Sequence, residues 1–193
     1  MSASSLYHPP QRLKGDLTIW LVIAIEMATF ALLFISYAWA RANDTPNFRL
    51  DQNTVDSSKG LINTVLLIAG SWMVARAQIA LKTMDTEVTA KWLLSAMCMG
   101  LAFLAFKLQE YTAKFDAGLG LDSSTFYTFY FLLTGFHFFH VLAACVFLFF
   151  VWWTVRRTTS SEDMEHALDT AAAFWHMVDL LWIVLFPLLY LMP

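Results

Sequence analysis

Hydrophobic residues in this chain fall into five long runs separated by short polar stretches. The runs cover about residues 17–40, 60–81, 92–108, 126–155 and 168–191. A helix needs about 20 apolar residues to cross the roughly 30 Å hydrocarbon core of a bilayer. The runs are far longer than barrel strands and lack strict alternation of apolar and polar positions. The pattern therefore predicts an all-α integral membrane bundle of five transmembrane helices.

Composition supports a membrane protein. The chain is 59% hydrophobic and 14% charged, which is far more apolar than an ordinary soluble domain. Its net charge is −3 and it has no basic cluster, so nucleic acid is not an expected partner. The loops are short, the longest covering about residues 42–59, so we expect one membrane domain over residues 1–193.

Basic residues around the runs predict the orientation of the chain, because cytoplasmic loops of membrane proteins are enriched in Lys and Arg. With the N-terminus placed inside, seven basic residues lie on the inner side: Arg12, Lys14, Arg76, Lys82, Lys91, Arg156 and Arg157. The five on the outer side are Arg41, Arg49, Lys59, Lys107 and Lys114. The excess predicts an N-terminus inside and a C-terminus outside.

Glu26 is a carboxylate near the middle of the first apolar run. It follows Leu17 by nine residues, or about 14 Å along a helix, which places it near mid-membrane depth. A charged side chain there costs about 2.5–3.5 kcal/mol on insertion scales, so the default interpretation is a functional site facing protein or a cavity. By composition Arg76 is the nearest candidate cation, although we expect it to lie at a different depth.

Two further runs carry ionisable side chains at a spacing of three residues. His176 and Asp179 share one face of the last predicted helix, where they either fix helix packing or contribute to a site. In the fourth run His137 and His140 follow Gly135, which would allow close approach of another backbone. A haem held between His137 or His140 and His176 is one alternative. The Glu-x-x-His repeat of carboxylate-bridged metal pairs is absent from the sequence.

The second and third runs carry weaker signals. Asn63 and the segment around Gly70 favour a close-packing seam. Arg76 is placed to extend toward the inner interface and hold a lipid phosphate. Glu110 follows Lys107 by three residues, so we interpret the two as an ordinary surface ion pair.

Five fragments follow one another along the chain: Ile25-Glu26-Met27, Asn63-Thr64-Val65-Leu66-Leu67 with Gly70-Ser71, Gln109-Glu110-Tyr111, Thr134-Gly135-Phe136-His137 with His140-Val141, and Phe174-Trp175-His176-Met177-Val178-Asp179-Leu180-Leu181-Trp182. Taken in order, these fragments resemble the subunit III family of the haem-copper oxidases over nearly the whole chain. In that resemblance Glu26 falls on the carbodiimide-reactive carboxylate of the family.

The resemblance implies an accessory subunit without haem or copper of its own, in a bacterial cytoplasmic membrane. Such a subunit packs against a catalytic subunit I, which carries haem with copper or non-haem iron. It encloses phospholipid, stabilises the complex, and supports proton uptake or gas access. The resemblance implies no catalytic residue, a functional carboxylate at Glu26, and structural or lipid-cleft roles for Asn63, Arg76, Glu110, His137, His140, His176 and Asp179.

The chain departs from the seven-helix members of this family in lacking two N-terminal spans. It resembles the five-span forms of bacterial quinol oxidases and of members associated with nitric oxide reductases, some of which have Asp where Glu26 stands. Oxygen or nitric oxide as substrate, and cytochrome c or quinol as electron donor, stay open. Two other classes are alternatives: a membrane b-type cytochrome, and a small transporter with Glu26 as its coupling carboxylate.

Overall fold

The computed structural model describes residues 17–157 and 160–192, and all regular structure in those ranges is helical. Arg12 and Lys14, which the orientation count included, lie outside the described residues. Five helices are long and apolar enough to cross a membrane, which confirms the predicted all-helical class. The helices are α1 Leu17–Asn43, α2 Thr45–Gln52, α3 Ser57–Lys82, α4 Thr86–Asp116, α5 Thr125–Arg157 and α6 Ser161–Phe186, followed by a π-helical turn at Pro187–Leu191.

Four of the long helices form a ring, and the fifth lies against its outside. Helix α3 packs on α4 and α6, and α5 also packs on α4 and α6. Helix α1 contacts α5 and α6. Helix α6 therefore has two flanks: α1 covers the flank beside α5, whereas α3 borders the other.

Helix α6 supplies the largest side chains of the ring interior. Trp175 and Trp182 are both fully buried. A Cβ atom at Gly70 would lie 2.6 Å from ring carbon Cζ2 of Trp175, and one at Gly100 would lie 2.5 Å from the sulfur of Cys145. Gly70 thus provides the close packing that its segment predicted. Gly135 does not, because a Cβ atom there would meet nothing within 4 Å.

Helices extend beyond the predicted apolar runs. Helix α4 covers Thr86–Asp116, whereas the sequence predicted residues 92–108, and the Asp85 carboxylate caps it by accepting from the Val88 amide at 3.0 Å. The stretch predicted as the longest loop contains α2, which places Phe48 between the rings of Tyr37 and Phe126. Hydropathy identifies the segment inside the bilayer core but not where a helix begins and ends. It therefore predicted neither the extended ends of α4 nor the short helix α2.

The end of α6 is held by the α1–α2 region. Pro187 has no amide hydrogen, and the chain continues as a π-helical turn. The carbonyl of Leu188 accepts from the Tyr37 hydroxyl at 3.2 Å, and that of Leu189 accepts from Gln52 Nε2 at 3.1 Å. Backbone groups near a membrane need such partners because lipid tails offer none.

Candidate functional site

Glu26 is paired with His140 across the α1–α5 contact. His140 Nε2 lies 3.0 Å from Glu26 Oε2, with side-chain exposures of 11% and 26%. The other ring nitrogen, Nδ1, lies 2.8 Å from the carbonyl oxygen of Phe136. Phe30 packs edge-on against the imidazole and Phe174 stacks beside it. The cation beside Glu26 is therefore a potential imidazolium and not Arg76.

The two contacts of His140 constrain which of its ring nitrogens donates a hydrogen bond. A backbone carbonyl only accepts hydrogen bonds, so Nδ1 must donate to Phe136. Nε2 then either accepts from a protonated Glu26 or donates to its carboxylate. In both arrangements one proton lies between Nε2 and Glu26, in addition to the proton on Nδ1, and the two side chains together have no net charge. The pair is therefore a hydrogen-bonded carboxyl and imidazole about halfway along α1 and α5.

His137 lies one helical turn before His140 on α5, but its side chain is in the interior of the ring and does not join this site. Its side chain is fully buried between the rings of Phe103 and Trp182, with centroid separations of 5.6 and 5.1 Å. Neither of its ring nitrogens has a hydrogen-bond partner among the described residues. Within residues 17–157 and 160–192, no group of three or more His, Cys, Asp or Glu side chains is arranged to hold a metal ion.

His176 and Asp179 meet Ser71 of α3. The Ser71 hydroxyl donates to Asp179 Oδ2 at 2.6 Å, and its oxygen lies 3.2 Å from His176 Nδ1. Asp179 is 9% exposed, whereas His176 is exposed on the outer surface of the bundle. The predicted pair therefore belongs to a hydrogen-bonded group of three residues, Ser71, His176 and Asp179, which we call the relay. Sequence reasoning missed Ser71 as a functional residue.

The relay is the middle one of three polar contacts between α3 and α6, made by Thr64, Ser71 and Gln78, and we call this row of contacts the polar seam. Thr64, Ser71 and Gln78 are spaced seven residues apart, which places them on one face of α3. Trp182 Nε1 donates to the Thr64 hydroxyl at 2.9 Å, and Gln78 Nε2 donates to Asp169 Oδ1 at 2.8 Å. The heptad spacing was a signal in the sequence that could have located this seam.

Lys107 and Glu110 form a buried ion pair, so their interpretation as a surface pair was wrong. Lys107 Nζ lies 3.0 Å from Glu110 Oε2, with exposures of 0% and 3%. Tyr130 donates to Glu110 Oε1 at 2.6 Å, and Tyr190 donates to the same oxygen at 3.0 Å. Lys107 also donates to both tyrosine hydroxyls. Two tyrosines from distant segments satisfy the charges, which local spacing along α4 cannot reveal.

Asn63 and Arg76, both on α3, have different surroundings. Asn63 is fully buried, and its side-chain nitrogen and oxygen have no partner among the described residues. Arg76 is exposed, with its guanidinium 5.7 Å from the centre of the Trp92 ring. Five of the eight predicted site residues therefore lie in three separate places and not in one pocket: Glu26 with His140, His176 with Asp179, and Glu110 beside Lys107. Asn63, Arg76 and His137 belong to none of the three.

The chain is similar to respiratory oxidase subunits over almost its whole length. Residues 14–192 match the sequence profile of the family described as Cytochrome c oxidase subunit III. Proteins named Cytochrome c oxidase subunit 3 from Synechocystis sp. and Thermostichus vulcanus are each 31% identical to it, over 96% of this chain and 77% and 89% of their own lengths. A protein from Aeropyrum pernix named Heme-copper oxidase subunit I+III is 30% identical over 90% of this chain and 22% of its own length.

Proposed function

Since the chain belongs to the cytochrome c oxidase subunit III family and is a multi-pass accessory subunit of a haem-copper oxidase, we propose that it stabilises the catalytic subunit, binds lipid and supports proton uptake or gas access. The resemblance of its five ordered fragments to that family is confirmed by the match over residues 14–192. The observation that supports the proton-related role is the Glu26–His140 pair, a hydrogen-bonded carboxyl and imidazole about halfway along α1 and α5.

The proposed complex places this chain beside a catalytic subunit I in a bacterial cytoplasmic membrane. The protein named Heme-copper oxidase subunit I+III contains the region similar to this chain as 22% of its length, in the same polypeptide as the part that its name calls subunit I. Haem and copper belong to the catalytic subunit in this proposal, and residues 1–193 form one domain beside it. An affinity tag on the present chain should recover haem-containing subunits from detergent-solubilised membranes.

The proposed orientation has the N-terminus inside and the C-terminus outside. Lys107 was counted among the outer charges, but its burial in the bundle removes it from the loops. The outer set is then Arg41, Arg49, Lys59 and Lys114, so the inner excess in the sequence is larger than first counted. Labelling of single introduced cysteines, at Ser123 and at Thr83, with a membrane-impermeant maleimide tests the orientation. We expect label from the outer side only at Ser123.

A phospholipid site is proposed in a cleft beside the start of α1. The cleft has a volume of about 440 Å³ and lies between α1, the end of α5 and the start of α6. Ile19, Phe147 and Phe150 provide apolar walls, while Asp163 and His166 lie at the cleft. This combination suits an acyl chain with a polar headgroup near the interface. Phe147→Ala and Phe150→Ala together should lower the phospholipid retained by the purified complex, as measured by mass spectrometry.

Co-purification with absorption spectroscopy tests the assignment as an accessory subunit. The tagged chain should bring down a haem-copper subunit, and the chain separated from it should show no Soret band. Failure to recover any haem-containing partner would contradict the proposal. A Soret band in the separated chain that His176→Ala removes would instead support a b-type cytochrome.

A further inference from the structure

The surface around His176 is unusual for a membrane protein because it presents an imidazole at mid-membrane depth. His176 is fifteen residues from Ser161 and fifteen from Leu191, the ends of its candidate span. At 1.5 Å per residue it is about 22 Å from either end, which is the centre of the hydrocarbon region. Ile68 and Leu180, one helical turn from Ser71 and His176, are also exposed. We call this surface the α3–α6 face and define it by Ile68, Ser71, His176, Leu180 and Ile183.

The relay beneath this face determines which hydrogen-bonding group His176 presents. Ser71 has one hydroxyl hydrogen and donates it to Asp179. Its oxygen therefore accepts from His176 Nδ1, which must carry a proton. In the neutral imidazole the other nitrogen, Nε2, is then a hydrogen-bond acceptor. The structure gives Nε2 no partner among the described residues.

Lipid tails do not satisfy such an acceptor. A polar group left unpaired in hydrocarbon is costly, and intramembrane histidines usually face protein or a water-filled cavity. At the other flank of α6, the imidazole of His140, which belongs to α5, is covered by protein, because α1 packs over it and places Glu26 against it. The α3–α6 face has no corresponding helix in residues 17–157 and 160–192.

We propose that the α3–α6 face is the docking surface for a transmembrane helix of the catalytic subunit, and that this helix donates a hydrogen bond to His176 Nε2 from an uncharged side chain such as Ser, Thr, Asn or Gln. The inference rests on the proposed function, which supplies the partner. The protein named Heme-copper oxidase subunit I+III supports a catalytic subunit as occupant, because a region similar to this chain is fused there in one polypeptide.

Site-specific photocrosslinking in the whole complex tests the docking surface. A photoreactive residue replaces Ile183 on the face, and the matched control replaces Ile35, which is 65% exposed on α1. The complex is irradiated in membranes and purified through a tag on the haem-copper subunit. We expect a covalent adduct with that subunit from position 183 and none from position 35. An adduct from position 183 only to lipid or to a second copy of this chain would overturn the proposal.

Substitution of His176 tests the hydrogen bond. An interhelical hydrogen bond of typical strength corresponds to about a fivefold change in association, so His176→Leu should lower the retained chain about fivefold. His176→Gln keeps an acceptor and should restore most of the retention. The amount of chain in the membrane, measured by immunoblot, controls for folding. Full retention of His176→Leu, with adducts from position 35 only, would refute the docking surface. If the unaltered chain does not co-purify at all, the proposed function fails instead.

Discussion

A mid-membrane histidine lies at each flank of α6, and the two histidines differ in how far other helices cover them. On the flank beside α5, His140 is covered by α1 and bonded to Glu26 at 3.0 Å. On the flank beside α3, His176 is oriented by Ser71 and Asp179 but stays exposed. Both ring nitrogens of His140 therefore have a hydrogen-bond partner within the chain, whereas among the described residues only Nδ1 of His176 has one. Helix α1 thus acts as an internal partner helix for His140, and we propose that a helix of the catalytic subunit covers His176 on the open flank.

The buried network around Lys107 and Glu110 is a third site, and its disruption should have the largest effect on the protein. Removing one member of a buried ion pair costs about 3–5 kcal/mol, because the remaining charge has no counter-ion. Lys107→Met should therefore leave Glu110 unpaired and nearly abolish accumulation of the chain. Immunoblots of membranes measure this effect.

The matched controls for that site use the same substitution elsewhere and a second change at the same place. Lys91→Met removes a lysine from the exposed pair with Glu87 and should leave accumulation unchanged. Lys107→Met with Glu110→Gln removes both charges and should recover much of the lost accumulation. A Lys107→Met chain that accumulates normally would show that the network contributes little.

The open flank should be the next most sensitive place. Asp179→Ala removes the acceptor that orients Ser71, and we expect a loss of about 1–2 kcal/mol in assembly, as for a strong interhelical hydrogen bond. Asp179→Asn keeps an acceptor and should assemble nearly as well as the unaltered chain. Native gels of the solubilised complex give the assembled fraction. Equal loss with Ala and Asn would indicate that the charge of Asp179 matters and not its hydrogen bond.

The covered flank should respond less to a conservative change. Glu26→Gln keeps a hydrogen-bonding side chain beside His140, so assembly should be intact while turnover of the complex falls modestly. A double-mutant cycle of Glu26→Ala and His140→Ala should give a coupling of about 0.6 kcal/mol, the average for pairs inside membrane bundles. If Glu26→Gln harms assembly more than Asp179→Ala does, the two flanks have the reverse roles, with Glu26 structural and the relay functional.

The smallest effect is expected at Arg76, which is exposed on α3. Arg76→Leu removes the contact that Arg76 makes with the Trp92 ring at 5.7 Å among the described residues, which is worth about 0.5 kcal/mol at an exposed position. Thermal denaturation of the complex should show a shift close to experimental error. Arg76→Lys is the control that keeps the charge. A large loss with Leu and none with Lys would point to an anionic lipid headgroup at this position.

Hydropathy and spacing predicted the number and class of the long helices, because every membrane span must bury its own backbone and present apolar side chains. They also placed Glu26, His176 and Asp179 as polar groups that require partners. The helix ends were less predictable, since α4 extends past its apolar run at both ends. Its buried Lys107–Glu110 pair has the same spacing as a surface pair.

Partner choice in this protein depends on packing between distant segments. A carboxylate in the first run predicted a site at Glu26, but that His140 and not Arg76 completes it follows from the position of α1 against α5. Likewise, His176 and Asp179 share a face by local helix geometry, whereas Ser71 reaches them because Gly70 lets the Trp175 ring lie close to α3. Local periodicity determines which side chains need a partner, and the crossing of helices, which depends on side chains far apart in the chain, determines which partner each one receives.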